Sequence, residues 1–480
     1  MQHRQPSNKY MSAFSFAVII LFFTSSVFAK SPANVPSKKG TVLGLTWSQA
    51  TEQMERRNPL MKAARAGLDV FKSKLSQAQW AYFPKFNLEA ALAPTPQISG
   101  SAVETVVDFD HWGVLMTTKI SMVQPIYTFG KIASLSRAAE HGVVIGHALV
   151  EAARLELRYR LAQAWYGMQL VSELERILGE GKKWLSRAEK KMASQRKADS
   201  DDYKQNEHLR LKTRVSEFFA MEAENTELRV QAEEGMRLLI QGLPKVTVGP
   251  SSLQPIPLHL SEASTYWNLA KKSEPRLQAT RAQERAKGAL SDLKKAKLWP
   301  DLVVVGEAGT SYSDVVDVQQ SELTGSSYNG SSAAALLALR WNLDFPTLVG
   351  QLDEARAISR KSSHEARLKE NTLELKVRTL YRRLKNKQKL IGVYSKSQKA
   401  AQGWLLSAWE LYDDGFGEFR MVMEALVQFY GKKVAYLRTV FEFNVLVHEF
   451  SQAVGVDITT FNPGNKNIQG SSELGSSLNR

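Results

Sequence analysis

Residues 112–131 read WGVLMTTKISMVQPIYTFGK, from Trp112 to Lys131. Val114, Met116, Thr118, Ile120 and Met122 alternate with Thr117, Lys119 and Ser121. A period of two with one apolar and one polar face predicts a strand rather than a helix. Pro125 and Gly130 punctuate it, and from Lys131 the chain then runs 67 residues to Lys197 without a proline. As helix, that run extends about 100 Å at ~1.5 Å per residue, more than a compact globule has room for.

The same grammar occurs upstream and again in the second half. Prolines at 59, 84, 125 and 244 are spaced by 25, 41 and 119 residues, and those at 275, 300, 346 and 463 by 25, 46 and 117. No other proline interrupts the two longest gaps. Asn58-Pro59-Leu60 answers Glu274-Pro275-Arg276, and Trp80-Ala81-Tyr82-Phe83-Pro84 answers Trp299-Pro300. The spacing predicts an internal duplication: a first repeat over 30–244, a linker over 245–265, a second repeat over 266–456, and a disordered Ser/Asn/Gly-rich tail over 457–480.

Each repeat reads as a proline-opened helix, two strands and a long helical hairpin. The fold class expected is therefore α+β. Strands are predicted near 85–93, 112–124, 301–313 and 332–345, with exposed loops between paired strands at 94–111 and 314–332. The helical hairpins are predicted over 131–242 and 350–455. Ile145, Ala148, Ala152, Leu155, Tyr159 and Ala162 step by threes and fours, as do Leu373, Val377, Leu380, Leu384 and Ile391, which is a seam for coiled-coil-like packing. Polar residues near Lys197 to Asp202 and Asp413 to Gly417 mark the two returns.

Four two-faced strands with aromatic ends suit either a soluble sheet covered by helices or an outer-membrane barrel. Trp80, Tyr82, Phe83, Phe86 and Trp112 bracket one pair, and Trp299, Tyr312, Trp341 and Phe345 the other, which an aromatic girdle explains more simply. An open four-stranded sheet would leave backbone groups unpaired in lipid, so several chains must close one barrel. Eight strands are filled by side chains, whereas 12 leave a lumen, so three chains is the smallest open assembly.

The segment Gln124-Pro125-Ile126-Tyr127-Thr128-Phe129-Gly130-Lys131, its counterpart Trp341-Asn342-Leu343-Asp344-Phe345 leading to Gly350-Gln351, and the turns at Phe83-Pro84 and Trp299-Pro300 resemble the TolC family of outer-membrane efflux proteins. Leu411-Tyr412-Asp413-Asp414-Gly415 followed by Met423-Glu424-Ala425 is similar to that family's periplasmic helical turn. The resemblance runs from about Leu45 to Val456. It implies a homotrimer with a 12-stranded transmembrane β-barrel and a periplasmic α-helical barrel. It also implies a partnership with a periplasmic adaptor and an inner-membrane pump, for the export of drugs, metals or proteins. Pro84, Pro125, Gly130, Pro300 and Gly350 are then the barrel-to-helix junctions. Two departures stand out: Met421 sits where the family often has an acidic residue, and the first-repeat turn Gln195-Arg196-Lys197-Ala198 lacks the usual glycine.

The residues that would carry other chemistry are missing from the sequence. There is no cysteine, which excludes disulfides, thiolate metal sites and a lipid-anchored amino-terminal cysteine. The eight histidines are scattered without metal-ligand spacing, and no glycine-rich or nucleophile-elbow order appears, so neither enzyme nor cofactor is expected. The net charge of +15 includes basic clusters at Lys182 to Lys191 and Arg378 to Lys389, which read as solvated helix faces. Glu410, Asp413, Asp414 and Glu418 suit a ring of acids gating the tunnel's periplasmic mouth. An equally good reading is that they cap and solvate a turn. Gly415, Phe416 and Gly417 suit an adaptor contact, because a Phe between two glycines has little packing reason to be there.

Arg4, Lys9, the apolar run Ala13 to Phe23 and Val27-Phe28-Ala29 read as a signal peptide cleaved after Ala29. The expected place is the outer membrane with a large periplasmic part, and no nucleic acid partner. The competing reading is a periplasmic coiled-coil adaptor or structural protein of an export complex, whose strands would form a soluble domain.

Overall fold

The computed structural model describes residues 43–100, 105–197, 205–241, 246–248, 252–316 and 328–461. The expected signal peptide, the middles of both strand-connecting loops, the first-repeat return from Ala198 and the tail from Asn462 lie outside the described residues.

One order of elements occurs twice. The first pass is β1 (Leu43–Leu45), α1 (Trp47–Arg57), α2 (Pro59–Trp80), β2 (Lys85–Gly100), β3 (Thr105–Tyr127), α3 (Lys131–Lys197) and α4 (Gln205–Leu239). The second is β4 (Val246–Val248), α5 (Ala263–Ser273), α6 (Pro275–Ala296), β5 (Asp301–Ser313), β6 (Gly330–Arg340), α7 (Phe345–Asp413) and α8 (Phe419–Val454). The short helices begin on strong local signals. Thr46 and Gln49 form a reciprocal capping box before α1, with Gln49 N–H donating to Thr46 Oγ1 and Thr46 N–H to Gln49 Oε1. Asn58 accepts from Leu60 N–H at 2.9 Å before Pro59, and Glu274 accepts from Leu277 N–H before Pro275.

The helices pack as one layer. α3 contacts α2 and α4 on one side and α6 and α8 on the other, and α7 lies beyond α6 and α8. Each repeat has its own core. Met54, Met61, Leu157, Leu161, Met236 and Ile240 fill the first; Tyr266, Leu277, Leu384, Phe443 and Phe450 fill the second. A third cluster joins them, with Leu170, Leu174 and Ile177 of α3 against Leu437 and Val440 of α8. The β-strands form a four-stranded antiparallel sheet in the order β2-β3-β5-β6, while β1 pairs with β4 in parallel.

Four expectations from the sequence change. The loop expected from Pro94 to His111 is largely strand, because β2 is an edge and a proline there forfeits no ladder bond; Pro94 and Pro96 stand opposite Val114 and Trp112. β6 ends at Arg340 rather than near Phe345. Trp341 Nε1 donates to Leu298 O at 3.1 Å, and Asn342 Oδ1 accepts from Asp344 N–H at 3.1 Å, which turns the chain out of the ladder. α7 consequently starts at Phe345, capped by Asp344, and Gly350 lies inside the helix rather than at the junction. The tail is ordered as far as Phe461: Ile458 is buried in the second core and its N–H donates to Ser451 Oγ at 3.2 Å.

Candidate functional site

The sheet has two unlike faces. Phe86, Leu88 and Leu92 of β2 stand beside Met122, Ile120 and Met116 of β3. Those are followed across β5 by Gly306, Ala308 and Tyr312, and across β6 by Ala335 and Ala333. This face is apolar and open, with Leu88 68% and Leu92 72% exposed. On the other face Glu89 stands beside Lys119, Asn87 beside Ser121, and Lys119 forms an ion pair with Glu307. The outermost strands, β2 and β6, have no partner on their outer sides among the described residues.

The junctions explain how strands of a sheet feed helices of a layer. α2 and α6 both close with tight three-residue turns, Phe83 N–H to Trp80 O at 3.0 Å and Trp299 N–H to Ala296 O at 3.1 Å, before Pro84 and Pro300 open the strands. Pro125 sits where the β3–β5 register shifts, a bulge that bends the strand toward α3. Phe129 and Gly130 both take positive φ, +48° and +88°, so the reversal into α3 rests on one strained residue and one that is free to adopt it. Phe129 stacks on Trp299 at 5.9 Å and Lys131 pairs with Asp301 at 2.8 Å, which ties the two repeats together at this level. Trp80, Tyr82, Phe83 and Tyr127 surround the same level and are half or more exposed, and Trp112 and Tyr312 mark the far end of the strands.

At the opposite end of the second hairpin, α7 closes with a Schellman motif. Phe416 N–H donates to Leu411 O at 2.9 Å and Gly415 N–H to Tyr412 O at 3.3 Å, with Gly415 at φ +82°. Gly417 is required by close approach, since a Cβ there would lie 2.9 Å from Tyr412 N. Phe416 is held on this backbone frame at 87% exposure, which makes it the most exposed large apolar side chain among the described residues. Glu410, Asp413, Asp414 and Glu418 surround it in solvent. Among the described residues none of the four carries an ion pair across the hairpin, and Glu418 approaches only Arg420, at 4.0 Å. The structure thus brings the tip residues together and sets them far from the junction prolines, at the other end of α7.

The sequence reading missed an aromatic and histidine cluster that joins the repeats midway. His448 of α8 lies 4.9 Å from the Trp47 ring and 5.9 Å from Tyr166, and Trp47 stacks on Tyr166 at 6.0 Å. Burial pushes the His448 imidazole down to about 4 and the Tyr166 phenol up to about 12. Scattered single residues carry no sequence signal of this kind. Among the described residues no group of His, Asp and Glu is placed to hold a metal ion, and no helix is long and apolar enough to cross a membrane.

Residues 50–198 match the family model described as outer membrane efflux protein. A search of curated proteins finds no match. Among solved structures, the outer-membrane channel OprN superposes with a TM-score of 0.71 at 14% identity, covering 86% of this chain and 90% of its own. The CmeC outer membrane channel of Campylobacter jejuni gives 0.70 at 13% identity, covering 90% and 92%. The outer membrane protein VceC from Vibrio cholerae gives 0.68 at 16%, covering 86% and 96%. Over residues 50–198 the sequence is similar to the outer membrane efflux proteins, and the fold of the chain is similar to that of the solved outer-membrane channels.

Proposed function

We propose that three copies of this chain close their sheets into one 12-stranded barrel in the outer membrane and their helical hairpins into a periplasmic tunnel. The assembly is the exit duct of a tripartite export system. The observation that carries this reading is the sheet, which has an exposed apolar face, a polar face with an ion pair, and two edges without a partner among the described residues. In water the free edges invite aggregation, and in lipid an open edge is untenable, so closure with identical sheets satisfies both constraints. The dimensions agree. The 13 residues of β5 span ~43 Å along the strand, or about 33 Å in height at a ~40° tilt, close to the thickness of a bilayer's apolar core.

The duct is passive: the chain presents no nucleotide-binding motif, so energy comes from an inner-membrane transporter reached through a periplasmic adaptor. The Gly415-Phe416-Gly417 tip is the adaptor contact, because a large apolar side chain is displayed there on a backbone-only frame. Glu410, Asp413, Asp414 and Glu418 of three copies form an acidic mouth around it, which favours cations and offers acceptors for hydrogen bonds or salt bridges that close the mouth. Pro84, Pro125, Gly130 and Pro300 turn barrel into tunnel.

The test is to express the full chain, separate inner from outer membranes, extract with detergent and image the particles by electron microscopy. A trimeric rod from the outer-membrane fraction, well over 100 Å long with a short barrel at one end, is expected. A monomer released into the soluble periplasm would return the chain to the adaptor reading.

A further inference from the structure

The lateral order of elements leaves each copy with two different flanks. One consists of β2, α2 and α4; the other of β6 and α7. On the assembly proposed above, α4 of one copy meets α7 of the next, and the charges of these two helices are opposite. Residues 222–234 of α4 hold five glutamates and a single arginine. Between Glu374 and Glu410, α7 holds nine lysines and arginines and no acid.

Ion pairs fix the relative heights. Lys182 and Glu222, like Glu175 and Arg229, join α3 to α4; Lys433 and Glu180 join α8 to α3; Lys387 and Glu442 join α7 to α8. Counting along these antiparallel helices puts Glu227 level with Val393 and Glu234 level with Asn386. Glu227 therefore falls between Lys389 and Lys396, and Glu234 between Arg382 and Lys389, each within about a helical turn.

The faces match as well. α4 turns Leu211, Asn225, Ala232 and Met236 inward, where they are buried. At about 100° per residue, Ala220, Glu227 and Glu234 stand on the opposite side, and all three are exposed. α7 buries Leu373, Val377, Leu380 and Leu384. Lys389, Val393, Lys396 and Ala400 stand opposite that seam, exposed, and the three lysines and arginines invoked (Arg382, Lys389, Lys396) have no ion-pair partner among the described residues. Among the described residues Glu227 holds only an amide from Gln231 and Glu234 only its neighbour Arg237.

We infer that the seam between copies is a charge-registered helix pair, with Glu227 and Glu234 of α4 set against Arg382, Lys389 and Lys396 of α7 in the adjoining copy. The partner this surface fits is a second copy of this chain. An anionic lipid or an acidic protein would satisfy α7 but leave the glutamates at the same height on the other flank without a purpose. The seam gives the ring its register and makes its closure dependent on salt.

The experiment uses the full chain in detergent, with trimer content followed by native mass spectrometry over a range of salt concentrations. Glu227→Lys with Glu234→Lys, and separately Lys389→Glu with Lys396→Glu, should each raise the protein concentration needed for half-assembly by about tenfold or more, since each of three seams acquires like charges. All four changes in one chain restore opposite charges and should bring assembly back to within about threefold of the original. Helix content by circular dichroism should be unchanged, because every altered side chain is exposed. The cysteine-free sequence permits a second readout: Ala220→Cys with Ala400→Cys, at matching height and facing the seam, should oxidise to a covalent trimer. If the unaltered chain is a trimer but the double reversals assemble normally, or the fourfold chain is as weak as either, or no cross-link forms, the seam is overturned. If the unaltered chain is itself monomeric, the failure belongs to the ring assembly.

Discussion

Replacing His448 with Phe should remove a pH dependence from the stability of the helical region. The imidazole is buried between Trp47 and Tyr166, with Arg158 and Asp457 the charged groups nearby. Burial is the main reason its pKa falls from the ordinary 6.5 to about 4; Arg158 adds to the fall and Asp457 opposes it. Below pH 6.5 the unfolded chain takes up a proton that the folded chain refuses until pH 4. The unfolded state therefore binds more protons across that window, and stability declines as pH falls through it. A difference of about 2.5 pKa units corresponds to roughly 3 kcal/mol between pH 7 and pH 4. That is a large share of the 5–15 kcal/mol that typically holds a domain together. Phe keeps the aromatic contacts with Trp47 and Tyr166 and cannot titrate.

The assay is urea unfolding in detergent, followed by tryptophan fluorescence at several pH values between 7 and 4.5, for the original chain and for His448→Phe. The difference between the two chains cancels every other titrating group. It should shift in favour of the Phe variant by about 1.4 kcal/mol for each pH unit below 6.5. A difference that stays flat over this range would refute the claim that His448 is folded as a buried neutral ring.

Phe416→Asp should abolish export while leaving trimer yield unchanged, because the Schellman turn that displays this side chain is built from backbone bonds; a drug-sensitivity assay beside native gels checks both halves. Lys119→Glu converts the cluster of Glu89, Lys119 and Glu307 on the polar face of the sheet into three acids per copy, and reversal potentials in a KCl gradient across planar bilayers should move toward cation selectivity. Gly455→Ala places a Cβ 2.4 Å from Ser273 O at a φ of +87°, so a loss of several kcal/mol, read as a lower unfolding midpoint and poorer trimer recovery, is expected.

Most of the architecture was legible in the sequence because its elements are long and their boundaries are marked by proline. The 67-residue α3 lies wholly inside the proline-free run between Pro125 and Pro244, and the Thr46 and Asn58 caps are local signals that act within a few residues. The errors fall where tertiary context overrides local chemistry. Pro94 and Pro96 read as loop because the sequence does not disclose that β2 is an edge strand. Gly350 read as the counterpart of Gly130, yet the second junction is made by an Asn342 turn and an Asp344 cap and needs no residue at positive φ. The tip could be located from its polar residues, but not the backbone frame that holds Phe416 outward. The His448 cluster draws single residues from α1, α3 and α8, separations that no periodicity connects.

In the proposed ring, the repeated order of elements makes two helix seams quasi-equivalent, and their compositions differ for a physical reason. α3 and α7 occupy the same place in their repeats, as do α4 and α8. The α3–α8 contact inside one copy therefore corresponds to the α7–α4 contact proposed between copies. Inside the copy, Leu170, Leu174 and Ile177 close on Leu437 and Val440, all buried. That seam forms as the chain folds and never needs to face water. The outer flanks of α4 and α7 are exposed on every copy that has not yet met its neighbours, and a comparable apolar stripe there would be an aggregation site during passage to the membrane. Charges of opposite sign on the two flanks keep the unassembled copy soluble, repel like flanks that meet in the wrong order, and attract only the head-to-tail contact that closes a ring. Repetition of one order of elements would thus supply the symmetry of the proposed tunnel, and the divergence of its two seams would determine which of them forms first.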